Sequence, residues 1–454
     1  MTTTDPVVPA NEPLWRNRDF LLLWGGQTVS RLGSRVSDIA LPLLVLALTR
    51  SPAQAGFIAA AQSLPYLLLS LPAGALVDRW DRKRVMILCD MARCLALGSI
   101  PLAYARGQLG VGQLYAIAVV AGLALVFFDA AELASLPRVV PEGQLARAAG
   151  LNATAESATY LVGPGLAGVL IGLARGTVAG AALAYLVDSL SYLASVFSLC
   201  SIRLPFQEDR AGALRPALSA GALRAEIAEG LRFLWGQRRL RAIALLSMGV
   251  NLLDGPLLLA VIVLARDELH ADARTIGLIF TLAGAGELLG SFIAPWVQAR
   301  VRMGRVLIGA VAVWALATPL EAAAVSTLML IAGAALADMM IPIYHVAQVS
   351  YRLSLIPDAL QGRVNSAYRL PSYSSGLLGT AVGGVLLGLL GPRPVLWIIA
   401  GGLAFCAVAA KWSSGPSPRR RGDVGQTGDL GGPPPPLASP NLIAVASLTH
   451  GERL

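Results

Sequence analysis

The stretch Gly74-Ala75-Leu76-Val77-Asp78-Arg79-Trp80-Asp81-Arg82-Lys83-Arg84 sets six charged side chains within the seven positions 78–84. No charge occurs upstream over 53–77, and only Asp90 and Arg93 occur downstream over 85–105. A loop this short and this charged cannot lie in hydrocarbon. It marks one membrane face, with an apolar helix running away from it on either side. Arg82, Lys83 and Arg84 fit a basic loop held on the cytoplasmic side. That role has no use for the acids Asp78 and Asp81 or for the small Gly74 and Ala75, so the loop carries a further signal.

The alternation continues along the chain. Of 454 residues, 55% are apolar and 14% charged, where a soluble chain has about 25% charged. Apolar runs near 20–48, 53–77, 85–105, 111–131, 150–173, 177–202, 242–265, 275–298, 306–320, 327–350, 369–390 and 395–410 are each read as a crossing helix. The fold class is an all-α polytopic membrane protein of about twelve transmembrane helices. Residues 1–12 are polar and the first apolar run is long, so no cleavable leader is expected. The net charge of +9 does not point to nucleic acid, because the basic residues sit at helix ends and form no single patch. Cys89, Cys94, Cys200 and Cys406 lack metal-ligand spacing, so no metal or cofactor is expected. No G-x-x-x-x-G-K-[ST] stretch occurs, which leaves ATP hydrolysis without a motif.

The expected organisation is a cytoplasmic segment 1–19, a six-helix bundle 20–202, a connector 203–241, a second six-helix bundle 242–411 and a disordered tail 412–454. The connector holds an amphipathic pattern, Leu223, Ile227, Leu231 and Leu234 against Arg224, Glu226, Glu229 and Arg232, expected on the membrane surface. Arginines concentrate in alternate loops, which puts both termini and the connector in the cytoplasm of a cell inner membrane. The two bundles repeat: Pro141/Pro357, Leu161/Leu377, Gly163/Gly379, Gly168/Gly384 and Gly172/Gly388 share one offset, 357 − 141 = 216. Asp38 and Asp254 share it too, in the first helix of each half.

Ionisable residues inside spans are costly and mark function. A proton carrier needs an acid whose affinity for protons changes as a cavity opens and closes. Asp38, Asp254, Glu287 and Asp338 are the candidates. Arg35 and Asp38, and likewise Asp90 and Arg93, are three apart and meet on one helix face. Phe57, Tyr66, Trp314 and Tyr344 are candidate walls of an apolar cavity, and His345 a further titratable group.

Gly74, Leu76, Asp78, Arg79, Arg82 and Lys83 fall on the G-x-L-a-D-r-x-G-r-k loop between helices two and three of the major facilitator superfamily, which this chain resembles. Asp81 departs, standing where that pattern has a second glycine. Asn17-Arg18-Asp19-Phe20-Leu21-Leu22-Leu23-Trp24, Ser30-Arg31-Leu32-Gly33 and Phe127-Phe128-Asp129-Ala130-Ala131 resemble the efflux branch that includes macrolide exporters and the enterobactin exporter. Glu132 departs from the arginine usual in that branch. The resemblance implies that Asp78 faces the helix beginning around Arg369 and that Arg82 pairs with Asp129 or Glu132, a latch of the outward-facing state. It also implies that Gly163-Pro164-Gly165-Leu166-Ala167-Gly168 stands for the antiporter signature G-P-x-x-G-G. The function implied is proton-coupled export of a small amphipathic molecule (a drug, siderophore or secondary metabolite) by a monomer in the lipid bilayer, through rocker-switch motion. An importer or uniporter on the same scaffold is the alternative. An enzyme or receptor is disfavoured, since His270, His345 and His450 are scattered and no catalytic cluster forms.

Overall fold

The computed structural model describes residues 13–207, 220–357 and 360–413. The disorder expected of the tail lies outside the described residues beyond 413. The elements are α1 (Arg18–Thr49), α2 (Pro52–Val77), α3 (Arg82–Ala105), α4 (Val111–Val139), α5 (Leu145–Leu173), α6 (Thr177–Ser201), α7 (Ala220–Gly236), α8 (Arg238–Asp254), α9 (Leu257–Val263), α10 (Ala273–Arg300), α11 (Met303–Ala322), α12 (Thr327–Leu353), α13 (Gln361–Leu390) and α14 (Pro392–Ser413). No strand occurs among the described residues. Eleven stretches are long and apolar enough to cross a membrane, with α8, α9 and the turn to Glu268 counted as one. α2 adds a further crossing, with 26 residues and no charge. Leu68, Phe292, Leu316, Leu389 and Phe405 stand outward and exposed, as lipid-facing side chains do.

Caps set where the helices begin. Asn17 accepts from the Phe20 amide at 3.0 Å and donates to the Val139 carbonyl at 2.8 Å, tying α1 to the end of α4. Asp81, which replaces the expected glycine, is the N-cap of α3 and accepts from the Arg84 amide at 3.1 Å. Asp272 caps α10 through the Thr275 amide at 2.9 Å. The charged loop is therefore short because α3 starts at once behind it.

The packing repeats between halves. α1 lies on α5 and α6, α2 on α4, and α3 on α4 and α6. In the second half α8 lies on α13 and α14, α10 on α12, and α11 on α12 and α14. The halves meet through α5 with α10 and α2 with α13.

Two expectations are corrected. The span over 242–265 is interrupted, because Pro256 has no amide hydrogen to donate: α8 ends at Asp254 and α9 starts at Leu257. α8 begins at Arg238, inside the stretch assigned to the connector. The amphipathic helix of the connector, α7, packs on α13, with Leu234 in a cluster with Leu240, Ile243, Val364 and Tyr368. Leu231 and Arg232 are exposed, while Leu223, Arg224, Glu226 and Ile227 have side chains outside the described set.

Candidate functional site

A cavity of about 1140 Å³ lies between the bundles, walled by α1, α2, α4 and α5 on one side and α8–α13 on the other. One end is shut by two seams of backbone contact. In the first, a Cβ on Gly168 of α5 would lie 2.6 Å from the Ala273 carbonyl oxygen and 3.0 Å from the Gly277 Cα of α10. In the second, a Cβ on Gly56 of α2 would lie 2.9 Å from the Gly384 Cα of α13. Only glycine allows helix backbones this close. Gly168 and Gly384 are repeat partners, so the two seams are one contact used twice. Both lie on the face opposite the Asp78–Asp81 loop. At the loop face no glycine contact of this kind joins the bundles among the described residues. The cavity reaches toward that face, to Arg352 at the last turn of α12.

All four candidate acids, Asp38, Asp254, Glu287 and Asp338, line the cavity. Asp38 pairs with Arg35 at 2.9 Å, and the Arg35 guanidinium lies 3.7 Å over the Tyr160 ring. Gly163 permits that arrangement, since a Cβ there would sit 2.4 Å from Arg35 Cβ. The antiporter-like stretch thus has two faces: Gly163 receives Arg35, and the Pro164 carbonyl and Gly168 form the seam with α10. Asp254 stands at the break after α8, exposed to the cavity. Asp254, Glu287 and Asp338 have no ion pair or side-chain hydrogen bond among the described residues. Tyr66, Tyr344 and His345 also line the cavity, but Phe57 points outward and Trp314 is core.

Sequence reasoning missed one acid of the cavity. Glu321, at the end of α11, lines the cavity and is 2% exposed, yet its Oε2 has no hydrogen-bond partner. The apolar run 306–320 stops one residue short of this glutamate, and the signal is an acid with no basic residue near it. Asp188 of α6 is buried, accepts hydrogen bonds from Ser37 and Ser191, and walls a small adjoining cavity that Asp38 also lines.

At the charged loop, Arg82 pairs with neither Asp129 nor Glu132 among the described residues. Arg82 pairs with Asp78 at 3.0 Å and donates to the Ala134 carbonyl at 2.7 Å and the Phe206 carbonyl at 3.4 Å. Lys83 donates to the Ile202 carbonyl at 2.7 Å, and Arg79 is exposed. Glu132 is taken by Arg31, at 2.7 and 2.8 Å, and Asp129 lines the cavity. Arg369 donates to the Tyr66 hydroxyl at 2.6 Å. The donors of Arg82 and Lys83 are thus taken by carbonyls at the end of α4 and just after α6. Asp90 and Arg93 share a helix face as expected, 3.9 Å apart and buried away from the cavity. Ser195 donates to Asp90 at 2.6 Å, and Arg93 lies 5.3 Å from both the Phe128 and Tyr192 rings.

A family model described as transmembrane secretion effector matches residues 10–414. The chain is 29% identical over 235 residues to the multidrug efflux pump Tap of Mycolicibacterium fortuitum, covering 50% of this chain and 55% of that one. It is 27% identical over 197 residues to macrolide efflux protein A of Streptococcus pyogenes, covering 43% of this chain and 47% of that one. The chain spans about half the length of these curated relatives. Among solved structures, a bacterial homologue of the iron transporter ferroportin in its inward-facing state aligns with a TM-score of 0.68 at 20% identity, over 89% of this chain and 100% of that one. The same homologue in its outward-facing state aligns with a TM-score of 0.57, over 87% and 99%.

Proposed function

Because the chain belongs to the transmembrane secretion effector family, in the efflux branch of the major facilitator superfamily, we propose that it is a secondary active transporter exporting a small amphipathic molecule in exchange for protons. The observation that carries this reading is a single cavity between two repeated bundles, shut at one end by glycine seams and walled by Asp38, Asp129, Asp254, Glu287, Glu321 and Asp338. Ligand pockets typically hold about 300–1,000 Å³, so a volume of about 1140 Å³ admits a drug-sized molecule with water. Tyr66, Tyr160, Tyr344 and Phe280 offer it apolar and aromatic surface beside the charges.

Positive-inside counting makes the Asp78–Asp81 loop face cytoplasmic, so the conformation described is inward-facing. The higher TM-score against the inward-facing homologue supports this. Export requires the α5–α10 and α2–α13 seams to part while the loop faces close. In that second state Gly74, Asp78, Arg79, Arg82, Lys83 and Asp129 form the latch, with Arg82 leaving the carbonyls of Ala134 and Phe206. The exporter acts as a monomer in the bilayer.

The test is efflux of ethidium, as an amphipathic probe, into everted vesicles bearing an imposed pH gradient. Accumulation that a protonophore abolishes is expected. Accumulation untouched by the protonophore would remove proton coupling, and probe movement only in the opposite direction would favour an importer.

A further inference from the structure

We infer that Glu321 and Asp338 form a proton-binding pair, with Glu321 the member that lies between the cavity and the opposite face of the membrane; this rests on the export reading above. Four observations converge on Glu321. It is the penultimate residue of α11, whose end lies at the face shut by the glycine seams. Its side chain is 2% exposed, lines the cavity and has Oε2 without a partner. Gly333 of α12 makes the passage for it: a Cβ there would lie 2.8 Å from Glu321 Cγ. Arg393 of α14 seals the chain just beyond, donating to the carbonyls of Ala322 at 2.9 Å and Ala324 at 2.8 Å while paired with Glu268.

The charges around the pair are few. α12 supplies Asp338 and His345, α10 supplies Glu287, and α14 supplies Arg393, whose guanidinium is already engaged. Asp338, on the same helix as Gly333, lines the same cavity as Glu321. Glu287 of α10 and Asp254 at the end of α8 line that cavity as well. Carboxylates taken out of water without a counter-charge are costly, so this site calls for a positive ligand. A hard metal cation needs about six or more oxygens. No group of three or more acids, histidines or cysteines able to hold a metal ion exists among the described residues. A proton needs one oxygen. Asp254, Glu287, Asp338 and Glu321 share one cavity, with Asp254 exposed at the break after α8 and Glu321 buried at the end of α11.

Dicyclohexylcarbodiimide, which reacts with protonated carboxyls in apolar sites, provides the test on purified full-length protein in detergent. Mass spectrometry is expected to find the adduct on Glu321, to lose it in Glu321→Gln, and to show it falling as pH rises with no protection by sodium. Asp338→Asn is expected to shift the pH at which Glu321 labels. Labelling confined to Asp38 or Asp254 would overturn the inference, and so would protection of Glu321 by sodium. Failure of this inference is separable from failure of the export reading: wild-type vesicles without gradient-driven ethidium efflux sink the latter whatever Glu321 does.

Discussion

The two bundles share a packing plan but hold charge differently. In the first, most acids meet arginines: Arg31 with Glu132, Arg35 with Asp38, Asp78 with Arg82 and Asp90 with Arg93, while Asp129 faces the cavity without one among the described residues. Asp188, the remaining deeply buried acid there, is held by the hydroxyls of Ser37 and Ser191. In the second, Asp254, Glu287, Asp338 and Glu321 face one cavity with no basic partner on their own bundle among the described residues. Its membrane-edge pair, Arg393 with Glu268, lies at the end of the spans. Duplication therefore supplied two equal frames, and the first fixes most of its charges while the second leaves its cavity acids open to a ligand.

That contrast can be broken most sharply by neutralising one acid in each half. Asp338→Asn is expected to bring gradient-driven ethidium efflux down to the protonophore level while leaving the melting temperature of the purified protein in place. Asp90→Ala is expected to do the reverse, since it strands the buried Arg93; a cost of about 3–5 kcal/mol is expected for breaking such a pair, read by thermal or chemical denaturation in detergent. If Asp90→Ala spares stability and removes coupling, the division between halves is wrong.

The seams are the place where the halves are alike, so disturbing one sharpens the comparison from the other side. Gly168→Val places a side chain against the Ala273 carbonyl and is expected to cost the shut seam about 1–3 kcal/mol. Faster thiol labelling of Thr281→Cys, which faces Gly165, would report the opening. The smallest effect is expected at the charged loop. Asp81→Ala removes the α3 cap at a cost of about 1 kcal/mol, and Asp81→Gly costs only about a few tenths, both read as shifts in melting temperature.

Much of this architecture is legible in the residues. Apolar runs between basic loops give the spans, and the 216-residue offset gives the repeat, because membrane insertion imposes length and charge rules on each helix separately. The four cavity acids stand out because a carboxylate in an apolar run has little other reason to be there. What depends on neighbours is not legible. Leu234 of α7 reads alike whether lipid or α13 covers it. Pro256 inside an apolar run does not by itself say whether the helix bends or stops. Glu321 lies one residue past the run 306–320, and only the space left by Gly333 on the next helix lets its side chain turn inward. The partner of Arg82 is a property of one conformation, and a sequence encodes both.

The most direct test is a pair of spin-label distances on a chain with Cys89, Cys94, Cys200 and Cys406 replaced. One pair, Ala146→Cys with Arg300→Cys, reads the loop ends of α5 and α10; the other, Arg175→Cys with Ala271→Cys, reads their opposite ends. Alternating access about the glycine seams predicts reciprocal changes between acidic and alkaline conditions, one distance lengthening as the other shortens, and loss of that response in Glu321→Gln. Two distances that stay fixed, or that move together, would contradict it.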